Sequence, residues 1–253
     1  LSNALNLLRS LLFYTGYFIA TIVISITCMT VFWFIPLKRR FFIYSLWCRF
    51  VLFWLRVTCG VRYDIQGEEN IPDSPVVVLS THQSSWETIY LYYAISPVCP
   101  ILKKELLKIP FWGWAMRLQK PIAIDRSKPR EAGRSLLVQG KQRLLDGLSV
   151  VIFPEGSRSP AGTVKNLSRG GAKLAVSANA MALPVIHNAG DCWPAHTIMK
   201  KPGVIRVRIG APIASEGKSA TEVTEAYSQW LIANMDVISG SNQPPSEATE
   251  AST

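Results

Sequence analysis

Residues 76–91 read Val76-Val77-Val78-Leu79-Ser80-Thr81-His82-Gln83-Ser84-Ser85-Trp86-Glu87-Thr88-Ile89-Tyr90-Leu91. Four apolar, mostly β-branched residues have the make-up of a buried strand, and the run from Thr88 can begin a helix. His82 then falls in the loop at a strand's end, with Ser84 or Ser85 available as helix N-cap and Glu87 in the first turn. A carboxylate placed there holds one imidazole nitrogen and leaves the other to take a proton from a substrate hydroxyl. Such a pair is a general base with its orienting group, and no Ser or Cys nucleophile is required. The spacing alone is weak, because a loop histidine can be purely structural and Glu87 can serve only as a cap.

A second stretch, Phe153-Pro154-Glu155-Gly156-Ser157-Arg158-Ser159, follows the apolar run Val150–Ile152. Gly156 permits a close turn, backbone amides around Gly156 and Ser157 can approach a phosphate oxygen, and Arg158 adds a planar pair of donors. Ionised Glu155 cannot favourably meet the same phosphate, so its expected part in the site is to orient a loop or a basic side chain. By itself the stretch also reads as an exposed turn followed by an arginine.

Together, the H-x4-E and F-P-E-G-x-R boxes resemble those of the glycerophosphate and lysophospholipid acyltransferase family, which includes 1-acylglycerol-3-phosphate acyltransferases. Glu87 stands where that family usually has Asp. Ile124-Asp125-Arg126 is similar to the family's second block and Leu183-Pro184-Val185-Ile186 to its fourth. Lys103-Lys104-Glu105-Leu106 through Gly113 resembles the intervening segment.

The resemblance implies an O-acyltransferase in phospholipid biosynthesis, with His82 and Glu87 catalytic. Lys104, Arg126, Glu155, Gly156, Ser157 and Arg158 form the expected substrate-binding set. The implied reaction moves an acyl group from acyl-ACP (acyl-carrier protein) or acyl-CoA to lysophosphatidate, giving phosphatidate. No cofactor or metal is expected. Another lysophospholipid or a lyso-aminolipid is the alternative acceptor, and a lipid-binding membrane protein without catalysis is the alternative outside enzymes.

The chain has 253 residues and a formal net charge of +10, which suits an anionic membrane face, a phosphate-bearing substrate or an acidic carrier. Zinc-finger spacing and RNA-binding aromatic motifs are missing, so nucleic acid is not an expected partner. Cys28, Cys48, Cys59, Cys99 and Cys192 form no CxxC pair, and His82, His187 and His196 make no compact zinc pattern.

From Leu11 through Pro36 no residue is charged, a length that can cross a bilayer as a helix. Lys38-Arg39-Arg40 follows, then an apolar run from Phe41 to Val57 in which Ser45, Arg49, Leu52 and Arg56 make a partly polar helical face. No acidic residue precedes Asp64, a pattern that fits anionic headgroups. Residues 1–59 are therefore expected to form a helical anchor at the inner membrane, with the catalytic domain on the cytoplasmic side. A helical pair packed onto the soluble core is the other reading.

Residues 60–238 read as one α/β domain, a mixed sheet covered by helices. Expected strands include 62–65, 76–79, 98–102, 121–126, 150–153, 183–186 and 204–209. Helices are expected at 129–146, from 170 and at 221–235. Residues 239–253, rich in small and acidic residues, read as a disordered tail.

Overall fold

The computed structural model describes residues 2–125, 127–160, 162–163 and 166–239. Arg126 and the expected tail from residue 240 onward lie outside the described residues.

Among the described residues eight strands form the sheets: β1 (Val61–Gln66), β2 (Val77–Ser80), β3 (Val98–Cys99), β4 (Ile101–Lys103), β5 (Ile122–Ile124), β6 (Ser149–Ile152), β7 (Ala182–His187) and β8 (Gly203–Ile209). Six of them make one mixed sheet in the order β1-β8-β7-β2-β6-β3. Only β7 and β8 pair antiparallel; the other neighbours are parallel. β4 and β5 form a separate parallel pair. The run expected as one strand over 98–102 is thus two strands in two sheets, divided at Pro100. Proline has no N–H to donate, and its carbonyl accepts from Ile122 N–H instead, which starts the second pairing.

Alternation along the central strands sorts the core into two layers. Val76, Val78, Val151, Leu183 and Val185 face one apolar cluster, whereas Val77, Leu79, Val150, Ile152, Ala182 and Ile186 face another. α1 (Ser2–Val31), α2 (Leu37–Cys59) and α3 (Trp86–Ala94) cover the first face through residues such as Phe13, Trp47, Val51, Leu55 and Tyr90. The short α4 (Trp112–Arg117) lies against α1. α5 (Pro129–Leu145), α6 (Gly170–Ala178) and α8 (Ala220–Ala233) cover the second, separated in sequence by α7 (Ala189–Cys192) and followed by α9 (Asp236–Ser239). Pro129 opens α5 at a position where its missing N–H costs nothing, and the chain leaves it through left-handed Gly147. Ser219 and Glu222 close a reciprocal capping box on α8.

The two N-terminal helices serve both readings of residues 1–59. Each is long and apolar enough to cross a membrane by length and composition. Their inner sides belong to the core: Tyr44, Trp47, Val51 and Leu55 pack in one cluster with Ile89, Tyr92 and Ile205. Their outer sides stay apolar and exposed, with Phe42, Leu46, Phe50, Phe53 and Val57 following one helical stripe on α2 and Leu8, Leu12, Ile19 and Val23 on α1.

α1 and α2 approach closely where Gly16 meets the indole of Trp54, whose Nε1 donates to Leu12 O at 3.4 Å. A Cβ on Gly16 would lie 2.2 Å from that nitrogen. Gly16→Ala is therefore expected to destabilise the protein by about 1–3 kcal/mol through overpacking. Thermal unfolding in detergent micelles reads this out; an unchanged transition would mean that the indole does not sit on Gly16.

Candidate active site

β7, β2 and β6 are adjacent and parallel, so their carboxyl ends emerge on one edge of the sheet. Ligand sites of open α/β sheets gather at such an edge. β2 delivers the loop 81–85, β6 delivers 153–159, and β7 ends in His187.

His82 Nδ1 lies 2.8 Å from Glu87 Oε1. An ionised carboxylate only accepts, so Nδ1 carries the proton and Nε2 is left as the acceptor. The same Oε1 takes the backbone N–H groups of Gln83 at 3.0 Å and Ser84 at 2.8 Å, binding the loop to the first turn of α3. Ser85 occupies the N-cap position but its side chain makes no capping bond to the helix, and Ser84 Oγ instead accepts from Trp86 N–H at 3.1 Å. Burial acts to raise the Glu87 carboxyl. The neighbouring His187 and the bonds from His82 and the Ser84 amide outweigh it and hold the group below its ordinary value.

Phe153 stacks on the His82 ring, centroids 4.0 Å apart and planes at 15°. The main chain of His82 is held equally firmly. Its N–H donates to Glu155 Oε1 at 2.9 Å, and its carbonyl accepts from Ser159 N–H at 2.7 Å. Ser159 Oγ donates to the other oxygen of Glu155. Glu155 is buried and joins the two boxes through these bonds. Gly156 has φ +72°, with nothing within 4 Å of where a Cβ would stand, so it serves a left-handed turn and not a close approach.

His82 shares a cavity of about 540 Å³ with Ser157 and Arg158. Arg158 reaches back across the edge and donates to Ser85 Oγ at 2.9 Å. The lining also includes Tyr44, Trp47, Tyr92 and Met116, which make much of it apolar. Trp112 also lines it. The expected Lys104 is exposed and begins a 3-10 turn, and it is Lys103 that lines the cavity. Arg126 lies outside the described residues.

Three groups escaped the motif reading. His187 is buried, donating from Nε2 to Thr81 O at 2.9 Å and accepting Ala189 N–H at Nδ1, and burial holds it below the ordinary histidine value. Gln83 is buried and accepts Gly190 N–H at 3.2 Å, tying the same loop to α7. His196, on the loop after α7, lines the cavity with a left-handed backbone at φ 60°. The one available signal was that His187 ends an apolar strand run, where a polar residue reaches the site edge.

The family model described as Acyltransferase matches residues 62–188. The chain is 45% identical over 209 residues to the 1-acyl-sn-glycerol-3-phosphate acyltransferase of Pseudomonas aeruginosa, covering 81% of each protein. It is 30% identical over 178 residues to human 1-acyl-sn-glycerol-3-phosphate acyltransferase alpha, covering 69% of this chain and spanning 63% of that relative's length. Its fold is similar to the crystal structure of the 1-acyl-sn-glycerophosphate (LPA) acyltransferase PlsC from Thermotoga maritima. The TM-score is 0.74 at 22% identity, over 92% of this chain and 98% of that one.

Two expected outcomes test this geometry. Glu87 has a folded value below its unfolded one, so the stability it contributes is present above about pH 4.5 and lost as pH falls through the folded value. Wild-type protein should then lose more stability on acidification below pH 4.5 than Glu87→Gln; parallel curves from chemical denaturation would contradict the shift. Glu155→Ala leaves the part-buried His82 amide without its acceptor, at a cost of about 1 kcal/mol or more. It should lower kcat more than it raises either KM, because the side chain acts through His82; a pure KM effect would instead make Glu155 a substrate contact.

Proposed function

The chain belongs to the acyltransferase family, and we propose that it acts as a 1-acyl-sn-glycerol-3-phosphate acyltransferase, converting lysophosphatidate and an acyl thioester to phosphatidate and a free thiol. The observation that carries this reading is the His82–Glu87 pair in one cavity with Arg158 and an apolar wall. That combination supplies a base, an anion donor and room for an acyl chain.

In this mechanism His82 Nε2 takes the proton of the glycerol hydroxyl as its oxygen attacks the thioester carbonyl carbon. Glu87 keeps the ring oriented and stabilises the imidazolium that forms. The tetrahedral intermediate collapses with cleavage of the C–S bond, and the imidazolium returns the proton to the departing sulfur. Arg158, with Ser157 and the turn at Gly156, holds the acceptor phosphate away from the reacting hydroxyl; Lys103 extends the positive lining, and the sequence adds Lys104 and Arg126 as further phosphate contacts. Fixing the headgroup in this way converts alignment into rate. The apolar wall takes the acyl chain.

The donor is acyl-CoA or acyl-ACP, either of which presents negative charge to this basic chain. The outer apolar stripes of α1 and α2, and the run of basic residues before Asp64, support association of residues 1–59 with an anionic phospholipid membrane. Residues 60–238, the α/β domain, then face the cytoplasmic side.

A thioester-consumption assay coupled to product mass, run with both carriers and a panel of lyso-acceptors, tests the reading. Lysophosphatidate should be the preferred acceptor; preference for a lyso-acceptor without a phosphomonoester would overturn that assignment. His82→Ala should lose turnover by about 10²–10⁴-fold, the worth of a positioned general base, while melting normally. Arg158→Ala should raise the KM for lysophosphatidate more than that for the thioester, and equal effects would remove its headgroup role.

A further inference from the structure

A second cavity of about 260 Å³ lies beside the first, and Ser85, Arg158 and His196 line both. Its remaining walls are Tyr14 of α1 and the loop 193–198. Among its described lining residues none is acidic, and those able to donate hydrogen bonds include Arg158, His196 and the hydroxyls of Tyr14 and Ser85. Two of these hydroxyls are already oriented. Ser85 Oγ accepts from Arg158, and Tyr14 Oη accepts from Lys200 Nζ at 2.8 Å, so each must direct its own hydrogen elsewhere.

Lys200 stands behind this wall. It is 1% exposed, its Nζ donates to Ile198 O at 2.8 Å, and it lies 4.5 Å and 4.9 Å from the ring centroids of Tyr14 and Trp193. No carboxylate pairs with it among the described residues. Burial lowers it only to about 8, which leaves it charged at neutral pH. A buried ammonium without a counter-ion is costly, and it biases the adjoining space towards an anion. His196, at φ 60°, adds a backbone conformation uncommon outside glycine to the same wall.

We propose that this second cavity is a phosphate subsite of the acyl-transfer site, with Tyr14, His196 and Arg158 as donors and Lys200 polarising Tyr14 from behind. The inference rests on the acyl-transfer reading for the source of its ligand. The phosphate is either the phosphomonoester of the acceptor or the phosphate on the donor's thiol-carrier arm. In both cases α1 contributes to substrate binding through Tyr14 as well as presenting an apolar face.

The test uses the full chain in detergent micelles. Tyr14→Phe and His196→Gln should each raise one KM by roughly tenfold or more, the effect of losing a hydrogen bond to a charged group, with kcat within about twofold. A rise for lysophosphatidate assigns the subsite to the lipid headgroup, and a rise for acyl-CoA assigns it to the carrier arm. Both KM values unchanged in both variants, or a fall in kcat alone, would overturn the proposal.

A second readout does not need turnover. The five cysteines are buried, so His196→Cys introduces an accessible thiol. Its alkylation by N-ethylmaleimide should be slowed by saturating lysophosphatidate or by coenzyme A, and not by monoacylglycerol. Equal alkylation rates in all conditions count against the subsite. Protection by a phosphate-bearing ligand in a protein that fails to acylate lysophosphatidate would remove the functional reading and leave the subsite standing.

Discussion

The site depends on how one residue's main chain is held between two loops. His82 gives its N–H to Glu155 and its carbonyl to Ser159, while its ring is bonded by Glu87 and stacked on Phe153. Two buried carboxylates so close to one edge would each carry a large desolvation cost if unsatisfied. Glu87 meets it at Oε1 with two loop amides and an imidazole, while its buried Oε2 has no hydrogen-bond partner among the described residues, and Glu155 meets it with an amide and a hydroxyl. The bonds these carboxylates accept are the same bonds that position His82. A loop following β2 alone would have few buried contacts of its own; the neighbouring loop from β6 makes it part of a rigid edge.

The same economy governs the N-terminal helices. α2 contributes Trp47, Val51 and Leu55 to the core and leaves a stripe of Phe and Leu outside. Tyr44 and Trp47 also line the larger cavity, so the helix that shows an apolar outer face also forms part of the wall around the chemistry. Fixing α2 against α3 and β1 therefore fixes this part of the cavity lining as well as the fold.

The architecture was legible where periodicity is strong. The strands at 62–65, 76–79, 183–186 and 204–209 and the helix at 129–146 fall within a residue or two of the observed elements, because their apolar residues alternate or recur without interruption. The division at Pro100 was not legible, since the run on both sides is apolar and only the missing N–H separates the pairings. At the site, the His82–Glu87 bond followed from local spacing. That Lys103 lines the cavity depends on where β4 ends and the 3-10 turn from Lys104 begins, a boundary that the run Lys103-Lys104 does not mark. Contacts such as Gln83 with Gly190 and Tyr14 with Lys200 join residues more than a hundred positions apart, and no local pattern reports them.

Glu87 in place of the shorter acid is explained by what its one oxygen has to reach. Oε1 sits 2.8 Å from the imidazole and 2.8–3.0 Å from two successive amides that precede the helix. The carboxylate therefore lies at the focus of the turn, in front of α3. An aspartate on the same backbone would end about one C–C bond, roughly 1.5 Å, short of that point. It could recover the imidazole contact only by drawing the loop towards the helix, and Glu155 and Ser159 hold that loop from the other side. The side-chain length at position 87 and the clamp on His82 are thus a matched pair, set by the distance between the first turn of α3 and the end of β2.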